Sequence, residues 1–420
     1  MKLTEGVKLH IIPTKKFKTV RLMIRFRGLL TEETLAKRVL ISNLWETSNQ
    51  AYPTAQSFAR RLSEMYGANF STSVAKKGTQ HLLTINMAFV NQAFIDEDSL
   101  AEAIAFVKSV IFEPDVDEEK AGRFNPAVFE REKRNLSHYL KAMNEDRGYY
   151  ASRKLSSLFF SDKEQGLPGV ANSELLEPET PESVYAYYQE MLAKDNIDII
   201  VLGDVNEDEV VQQFQAFSFE GRKELTEVLY HQDPKALVSE VEDKEVAQSI
   251  LQLAYLLPCS YGDEDYLTLQ VMNGLLGGFA HSKLFMNVRE KAQLAYSAGS
   301  TFDSFSGLLK IAIGIDASNY EQALSLTKAQ VQAMADGDFT DDEVEQTKTM
   351  LRNSFYIGLD SAGNLLEMAY VEALVPERHI DDDEFLRRLD AVTKADVMKL
   401  ASRLELQAQY FMRGAAYGEA

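Results

Sequence analysis

The sequence has little cysteine, little histidine and no long apolar run. Cys259 is the single cysteine among 420 residues, so an intrachain disulfide is excluded. The six histidines have no cysteine partner, which excludes a zinc-finger pattern. The first eight residues carry no apolar signal region, and no run of about 18 apolar residues exists to span a membrane. We therefore expect a cytoplasmic protein with no membrane partner.

Basic charge is also scarce. Lys plus Arg number 44 against 64 Asp plus Glu, which gives a formal net charge of −20. So acidic a surface repels phosphate backbones, which argues against nucleic acid as a partner. Apolar residues make up 45% and charged residues 26% of the chain, values typical of a folded protein rather than a disordered one.

The sequence contains the same order of predicted strands and helices twice. Alternating or apolar runs at residues 7–12 and 20–27 predict strands, and the spacing at residues 35–46 predicts a helix after them. A strand pattern at 247–257 and a helical pattern at 266–276 open the second series, in which Gly277 and Gly278 end the helix. Both series continue with further strands, a long helical stretch and a last strand.

This repetition predicts an internal duplication. The first domain is expected at residues 1–215 and the second at 242–420, with the charged, weakly periodic segment 216–241 as a linker. The fold class is α+β: two similar domains, each a mainly antiparallel sheet covered by helices. An open edge of such a sheet can pair with an extended peptide.

The second half also contains an ordered series of motifs. It runs through the glycine pair Gly277-Gly278, a Ser-x-Leu-Phe stretch at 282–285, an Arg-Glu-Lys turn at 289–291 and a Leu-Ala-Tyr-Ser strand at 294–297. This series resembles the carboxy-terminal domain of the pitrilysin/insulinase-type (M16-like) zinc peptidases, which include mitochondrial processing peptidase. The duplicated layout agrees with the two-domain halves of that family over nearly the whole chain.

The resemblance implies a zinc site in the first half, which this sequence does not have. The family carries His-x-x-Glu-His on its first helix, where residues i and i+4 share one face, and a glutamate downstream. Here the matching positions hold Leu40, Asn43 and Leu44, and the downstream position falls near His138 or Tyr139. Because leucine cannot bind Zn²⁺, we expect no zinc on this chain and zinc on a partner subunit.

The resemblance further implies a role in trans. Some bacterial members of the family are heterodimers in which one subunit supplies zinc and the other an Arg/Tyr pair. Arg289 and Tyr296 match that pair by their position in the motif. The chain then resembles the non-catalytic, substrate-binding subunit that completes the active site of a zinc-bearing sister in peptide processing. Arg289, Tyr296, Gly277 and Gly278 are its candidate peptide-binding residues.

Each candidate also has a structural interpretation. Arg289 would pair with Glu290 or Asp303, Tyr296 would pack in a sheet, and the two glycines would only stop a helix. Two other functions stay open: a non-hydrolytic scaffold or peptide-binding protein of the same fold, and a self-sufficient peptidase with an unusual metal site.

Overall fold

The computed structural model describes residues 1–414. Its strands are β1 (Lys2–Thr4), β2 (Val7–Pro13), β3 (Thr19–Leu29), β4 (Asn69–Lys77), β5 (Gln80–Val90), β6 (Asn196–Gly203), β7 (Val238–Lys244), β8 (Ser249–Leu256), β9 (Ala295–Asp303), β10 (Leu308–Ile315) and β11 (Glu405–Gly414). Its helices are α1 (Glu32–Trp45), α2 (Ala55–Glu64), α3 (Ser99–Phe112), α4 (Pro126–Glu145), α5 (Arg147–Phe159), α6 (Ser173–Leu176), α7 (Pro181–Lys194), α8 (Glu207–Gln215), α9 (Tyr266–Asn273), α10 (Tyr320–Asp336), α11 (Asp341–Leu359), α12 (Ala362–Leu374), α13 (Asp382–Ala391) and α14 (Lys394–Ala401). Two π-helical stretches, Gly274–Gly278 and Leu284–Lys291, follow α9.

These elements form two compact units. Unit 1 consists of Met1–Ala142, Pro168–Val228 and Ser361–Leu374. Unit 2 consists of Met143–Leu167, Leu229–Asp360 and the residues from Val375 onward. The units therefore interleave along the chain, whereas the division into residues 1–215, 216–241 and 242–420 describes the repeat in the sequence.

The five strands of the sheet in unit 2 follow the same order as five of the six strands in unit 1, which has β1 in addition. The sheet of unit 1 runs β1-β2-β6-β3-β5-β4, and that of unit 2 runs β7-β11-β8-β10-β9. In each, one pair is parallel, β2 with β6 and β7 with β11, and the other neighbours are antiparallel. This confirms the expected α+β class of two similar, mainly antiparallel sheets covered by helices.

The apolar faces of the sheets create the cores. In unit 1, Ile24 of β3 lies opposite Ile85 of β5 and Ile199 of β6, and all three side chains are fully buried. The helix α1 packs on this face after a cap at Thr31, whose side chain accepts a hydrogen bond from the Thr34 amide. Unit 2 has its own core on the equivalent strands, β8 and β10.

Each unit also contains one helix from the other half of the chain. In unit 2, α5 lies on β8 and β11, where Leu155 and Phe159 share a buried cluster with Tyr410. In unit 1, α12 lies on β6, where Glu367 binds the guanidinium of Arg25 at 2.8 Å. Sequence periodicity alone gives no sign of this exchange.

Two further differences from the sequence-based expectations concern the ends of segments. The expected linker is wrong at its end, because β7 begins at Val238 and pairs with β11. The helix after β8 does not stop at the glycines through a positive φ; the chain continues as a π-helical stretch through Gly278. In the part of the chain described, no helix is long and apolar enough to cross a membrane.

Candidate functional site

The resemblance to the zinc peptidases assigns the positions of their metal ligands to helix α1. Leu40 is fully buried and Leu44 is 5% exposed, and both belong to the apolar core of unit 1. One turn apart on one face, they pack as ordinary core residues. Asn43 lies between them and is half-buried. An amide and two apolar side chains do not fit a zinc ion, so this helix supports no metal-dependent step.

The downstream positions do not supply ligands either. His138 and Tyr139 are both exposed on α4. Within residues 1–414, no cluster of three or more His, Cys, Asp or Glu side chains is arranged to hold a metal ion. The positions that the resemblance assigns to the metal ligands therefore hold two leucines and, downstream, an exposed histidine or tyrosine.

Sequence reasoning missed a buried polar network on α1. The Arg38 side chain is completely buried and donates to Asp195, to the Tyr187 hydroxyl at 2.9 Å and to Nδ1 of His81 at 3.0 Å. Burial acts to lower the pKa of Arg38, but the attraction of Asp195 outweighs it and raises that pKa. An arginine amid the apolar residues of a predicted helix was the available signal, because a buried guanidinium requires a carboxylate partner.

His81 completes this network in its neutral form. Its Nε2 lies 2.9 Å from the carbonyl oxygen of Gly169, so Nε2 carries the proton and Nδ1 accepts from Arg38. Burial, together with the charge of Arg38, lowers the pKa of His81 to about 3. The imidazole is thus held as a structural group and is not free to bind a metal.

The end of α1 is tied to the edge strand of its sheet. Ser42 and Thr72 of β4 exchange hydrogen bonds, with 2.8 Å between their hydroxyl oxygens. The Thr72 amide donates to the carboxylate of Glu46. Since β4 is the last strand of the sheet, this contact occupies a backbone donor that an added peptide strand would otherwise need.

In unit 2 the glycine pair serves close packing. A Cβ atom on Gly277 would lie 2.5 Å from the Ser300 amide nitrogen of β9, and one on Gly278 would lie 3.0 Å from the Asn273 side chain. A side chain at Gly277 would therefore push the π-helical stretch off the edge strand. The immediate neighbour of Gly277 is the protein's own strand β9, the element that carries Tyr296.

Arg289 stands at the end of the second π-helical stretch and is partly exposed. Its guanidinium lies over the ring of Phe285, 4.5 Å from the centroid, and Nε is 3.8 Å from the Glu290 carboxylate. Asp303 instead accepts from the amides of Phe305 and Ser306. Cation–π contact orients the guanidinium plane, while two-fifths of the side chain remains open to solvent.

Tyr296 projects from β9 into solvent. It is 60% exposed, and its hydroxyl donates to Oδ1 of Asp316 at 2.9 Å. This hydrogen bond raises the pKa of Tyr296, because the carboxylate is bound by the protonated phenol. The exposed ring of Tyr296 is therefore not packed in the sheet, and its contact with Asp316 is made through the hydroxyl.

Comparison with known proteins places this architecture in a family. Residues 178–351 match the model of the peptidase M16 inactive domain. The chain is 33% identical to a probable inactive metalloprotease, YmfF, of Bacillus subtilis (strain 168), over 97% of this chain and 96% of that protein.

Solved structures show the same architecture. A conserved protein from Enterococcus faecalis V583 is 43% identical, with a TM-score of 0.95, and the alignment covers 100% of this chain and 99% of that one. A peptidase M16 inactive domain from Pseudomonas fluorescens shares the fold at 18% identity, with a TM-score of 0.81 over 99% of this chain and 98% of that one. The extent and identity of the match to YmfF, together with the apolar side chains at the ligand positions of α1, show that the chain belongs to the M16 peptidase family as an inactive metalloprotease homologue.

Proposed function

We propose that the chain is the non-catalytic, substrate-binding subunit of a zinc-dependent peptidase and completes the active site of a partner that carries His-x-x-Glu-His. The observation that carries the proposal is the exposed side chain of Tyr296 in a chain whose own ligand positions are Leu40 and Leu44. A surface phenol anchored by one carboxylate has no role in the core. It is available to a group that approaches from outside.

The chemistry of peptide hydrolysis gives Tyr296 a use. Attack on the scissile carbonyl develops negative charge on its oxygen, and a fixed donor at that point stabilises the transition state more than the ground state. The Tyr296 hydroxyl can turn its proton from Asp316 to that oxygen, which lets Asp316 act as the group that holds the phenol in position. The partner supplies zinc and the attacking water.

Arg289 would bind the substrate backbone. Its guanidinium is permanently charged and presents several N–H donors in one plane. Phe285 supports one face of that plane, and Glu290 is too distant at 3.8 Å for a hydrogen bond. The free donors are suited to a peptide carbonyl.

The test combines this chain with a zinc-bearing homologue and measures peptide cleavage. Tyr296→Phe and Arg289→Ala should each lower kcat by about 10²–10³, the usual effect of removing one donor to a developing oxyanion. Co-elution of the two subunits on size exclusion should not change. Tyr356→Phe provides the matched control, since Tyr356 is 51% exposed in the same unit and loses only its hydroxyl.

Full activity in both variants would show that neither side chain acts on the substrate. A stable complex with a partner that itself lacks the zinc motif, and no cleavage in any combination, would favour the non-hydrolytic scaffold. Stoichiometric zinc on this chain alone, with cleavage that a chelator stops, would instead indicate a self-sufficient peptidase.

A further inference from the structure

On unit 2, the sheet face that α5 partly covers contains a lysine with no counter-charge. Lys310 of β10 is half-buried, and among the described residues its ammonium donates only to the Ser152 hydroxyl, at 3.2 Å. Burial lowers its pKa, with no carboxylate near enough to oppose that effect. A half-buried ammonium without an acid is unfavourable unless a ligand supplies the missing charge.

The neighbouring cations of the same unit are treated differently. Lys154 of α5 lies 3.3 Å from Glu240, and Lys244 of β7 lies 2.7 Å from Glu242. Carboxylates are abundant in this chain of net charge −20, yet none among the described residues pairs with Lys310. The unpaired state of this lysine therefore distinguishes it from the cations beside it.

The Ser152 hydroxyl beside Lys310 also lacks an acceptor. The Ser152 oxygen accepts from both Lys310 and the Gln252 amide, each at 3.2 Å, so both of its lone pairs are used. Its own proton has no acceptor within residues 1–414. Gln252 is only 2% exposed; its amide nitrogen is used on Ser152, and its amide oxygen is an acceptor without a donor. Two kinds of donor thus converge where the protein provides no anion.

Small side chains on β9 and β10 lie next to this cluster. The outer face of β9 and β10 carries Ser297, Gly299 and Thr301 opposite Gly314, Ala312 and Lys310. Both Ser297 and Thr301 are exposed. The side chains between Lys310 and Gly314 are small, whereas Leu308 lies on the same face beyond Lys310 and Gln248 lies over Gly314, so the room for an extended peptide is the stretch between them.

We propose that Lys310 and Ser152 form a binding site for the carboxylate of a peptide, with the peptide chain lying over the small residues of β9 and β10. One carboxylate oxygen would accept from the ammonium and the other from the Ser152 hydroxyl. The shared chemistry fits a terminal carboxylate as well as an acidic side chain. The biological role of this site rests on the proposed function in peptide processing, whereas all of its residues belong to this chain.

The experiment is calorimetric titration of the isolated full chain with three unlabelled peptides. They share one short neutral sequence and differ as the free carboxylate, the terminal amide, and the amide with one internal glutamate. Charge-assisted hydrogen bonds predict that at least one carboxylate-bearing peptide binds about ten- to a hundredfold more tightly than the plain amide. The stronger of the two identifies the source of the carboxylate.

Three variants separate the site from general charge effects. Lys310→Met should abolish the preference, and Gln252→Glu should do the same by placing an internal carboxylate beside the ammonium. Lys399→Met removes the same charge from an exposed position of unit 2 and should keep the preference. Equal affinity for all three peptides, absence of binding at millimolar concentration, or a preference that survives Lys310→Met would overturn the proposal. No partner subunit is needed, so a failure here is distinct from a failure of the cleavage assay.

Discussion

At the scale of single residues, unit 1 shows how a helix can exchange a reactive role for a structural one. The position between the two leucines holds Asn43, which has no carboxylate to accept a proton from water. One turn earlier, Arg38 binds Asp195 and His81 in the interior. The polar contacts that α1 makes through Arg38 therefore lie in the interior of unit 1, where they stabilise the fold.

His81 makes that stability depend on pH. Its pKa is about 3 in the folded protein against 6.5 for a free imidazole, so between these values only the unfolded chain takes up the proton. Stability is fully present above pH 6.5 and falls as the pH drops toward 3, by roughly 1.4 kcal/mol per pH unit from this group.

The measurement is the free energy of unfolding in urea across this range. His81→Gln should flatten the decline between pH 6.5 and 4, because glutamine does not titrate. His138→Gln, at an exposed position, should leave the slope unchanged. An identical slope in wild type and His81→Gln would mean that the buried imidazole is already charged when folded.

At the scale of elements, the hydrophobic periodicity of the sequence predicted the helices and strands that depend on residues close together in the chain. The helical pattern at residues 35–46 falls on α1, Glu32–Trp45, and the strand pattern at residues 20–27 lies within β3, Thr19–Leu29. The first four residues of the strand Val238–Lys244 fall in the segment expected as a linker, because the side chains there are mostly charged or exposed. Its pairing with β11 joins residues 170 positions apart, as Ala408 with Val238, and no short window contains that information.

The candidate site divides in the same way. The motif identified Arg289 and Tyr296, because the order of the residue types is itself the signal. Their contacts with Phe285 and Asp316 arise from the π-helical stretch and from the turn after β10. Neither the π geometry nor a hydrogen bond between residues 20 positions apart can be read from composition or spacing.

Rebuilding the family's motif on α1 tests how far this helix has changed. The variant Leu40→His, Asn43→Glu, Leu44→His should bind no zinc tightly and cleave nothing, because no glutamate stands at the downstream position. Replacing each buried leucine removes apolar packing and should destabilise the protein by about 2–5 kcal/mol per site. Thermal melting and elemental analysis for zinc check both outcomes.

The surface substitution Tyr139→His is the control for adding an imidazole, and it should leave the melting temperature within a few degrees of wild type. Stoichiometric zinc on the rebuilt helix, with a melting temperature equal to that of wild type, would contradict the interpretation of α1 as a committed core element.

At the scale of the whole molecule, the exchange of α5 and α12 decides what can fold alone. A fragment of residues 229–420 lacks α5, so Tyr410 and its apolar neighbours lose the cover of Leu155 and Phe159. Burial of those two side chains contributes about 1.5–3 kcal/mol each. We expect this fragment to bind a hydrophobic dye and to show poorly dispersed amide resonances.

A peptide of residues 143–167 should restore a dispersed spectrum when added to the fragment, because it contains α5. A peptide of residues 181–194, which forms α7 of unit 1, should not. A fragment that is fully folded without either peptide would show that α5 is dispensable to unit 2.

The helix α12 also has a consequence for synthesis on the ribosome. Chains emerge from the amino terminus at about 5–20 residues per second and domains generally fold as they appear. The sheet of unit 1 is complete in sequence at Gly203, but Tyr370, which stacks on Arg25 at 4.0 Å, is made much later. The nascent first unit must therefore wait, with Arg25 uncovered by Tyr370, while Leu229–Asp360, the larger part of unit 2, is translated.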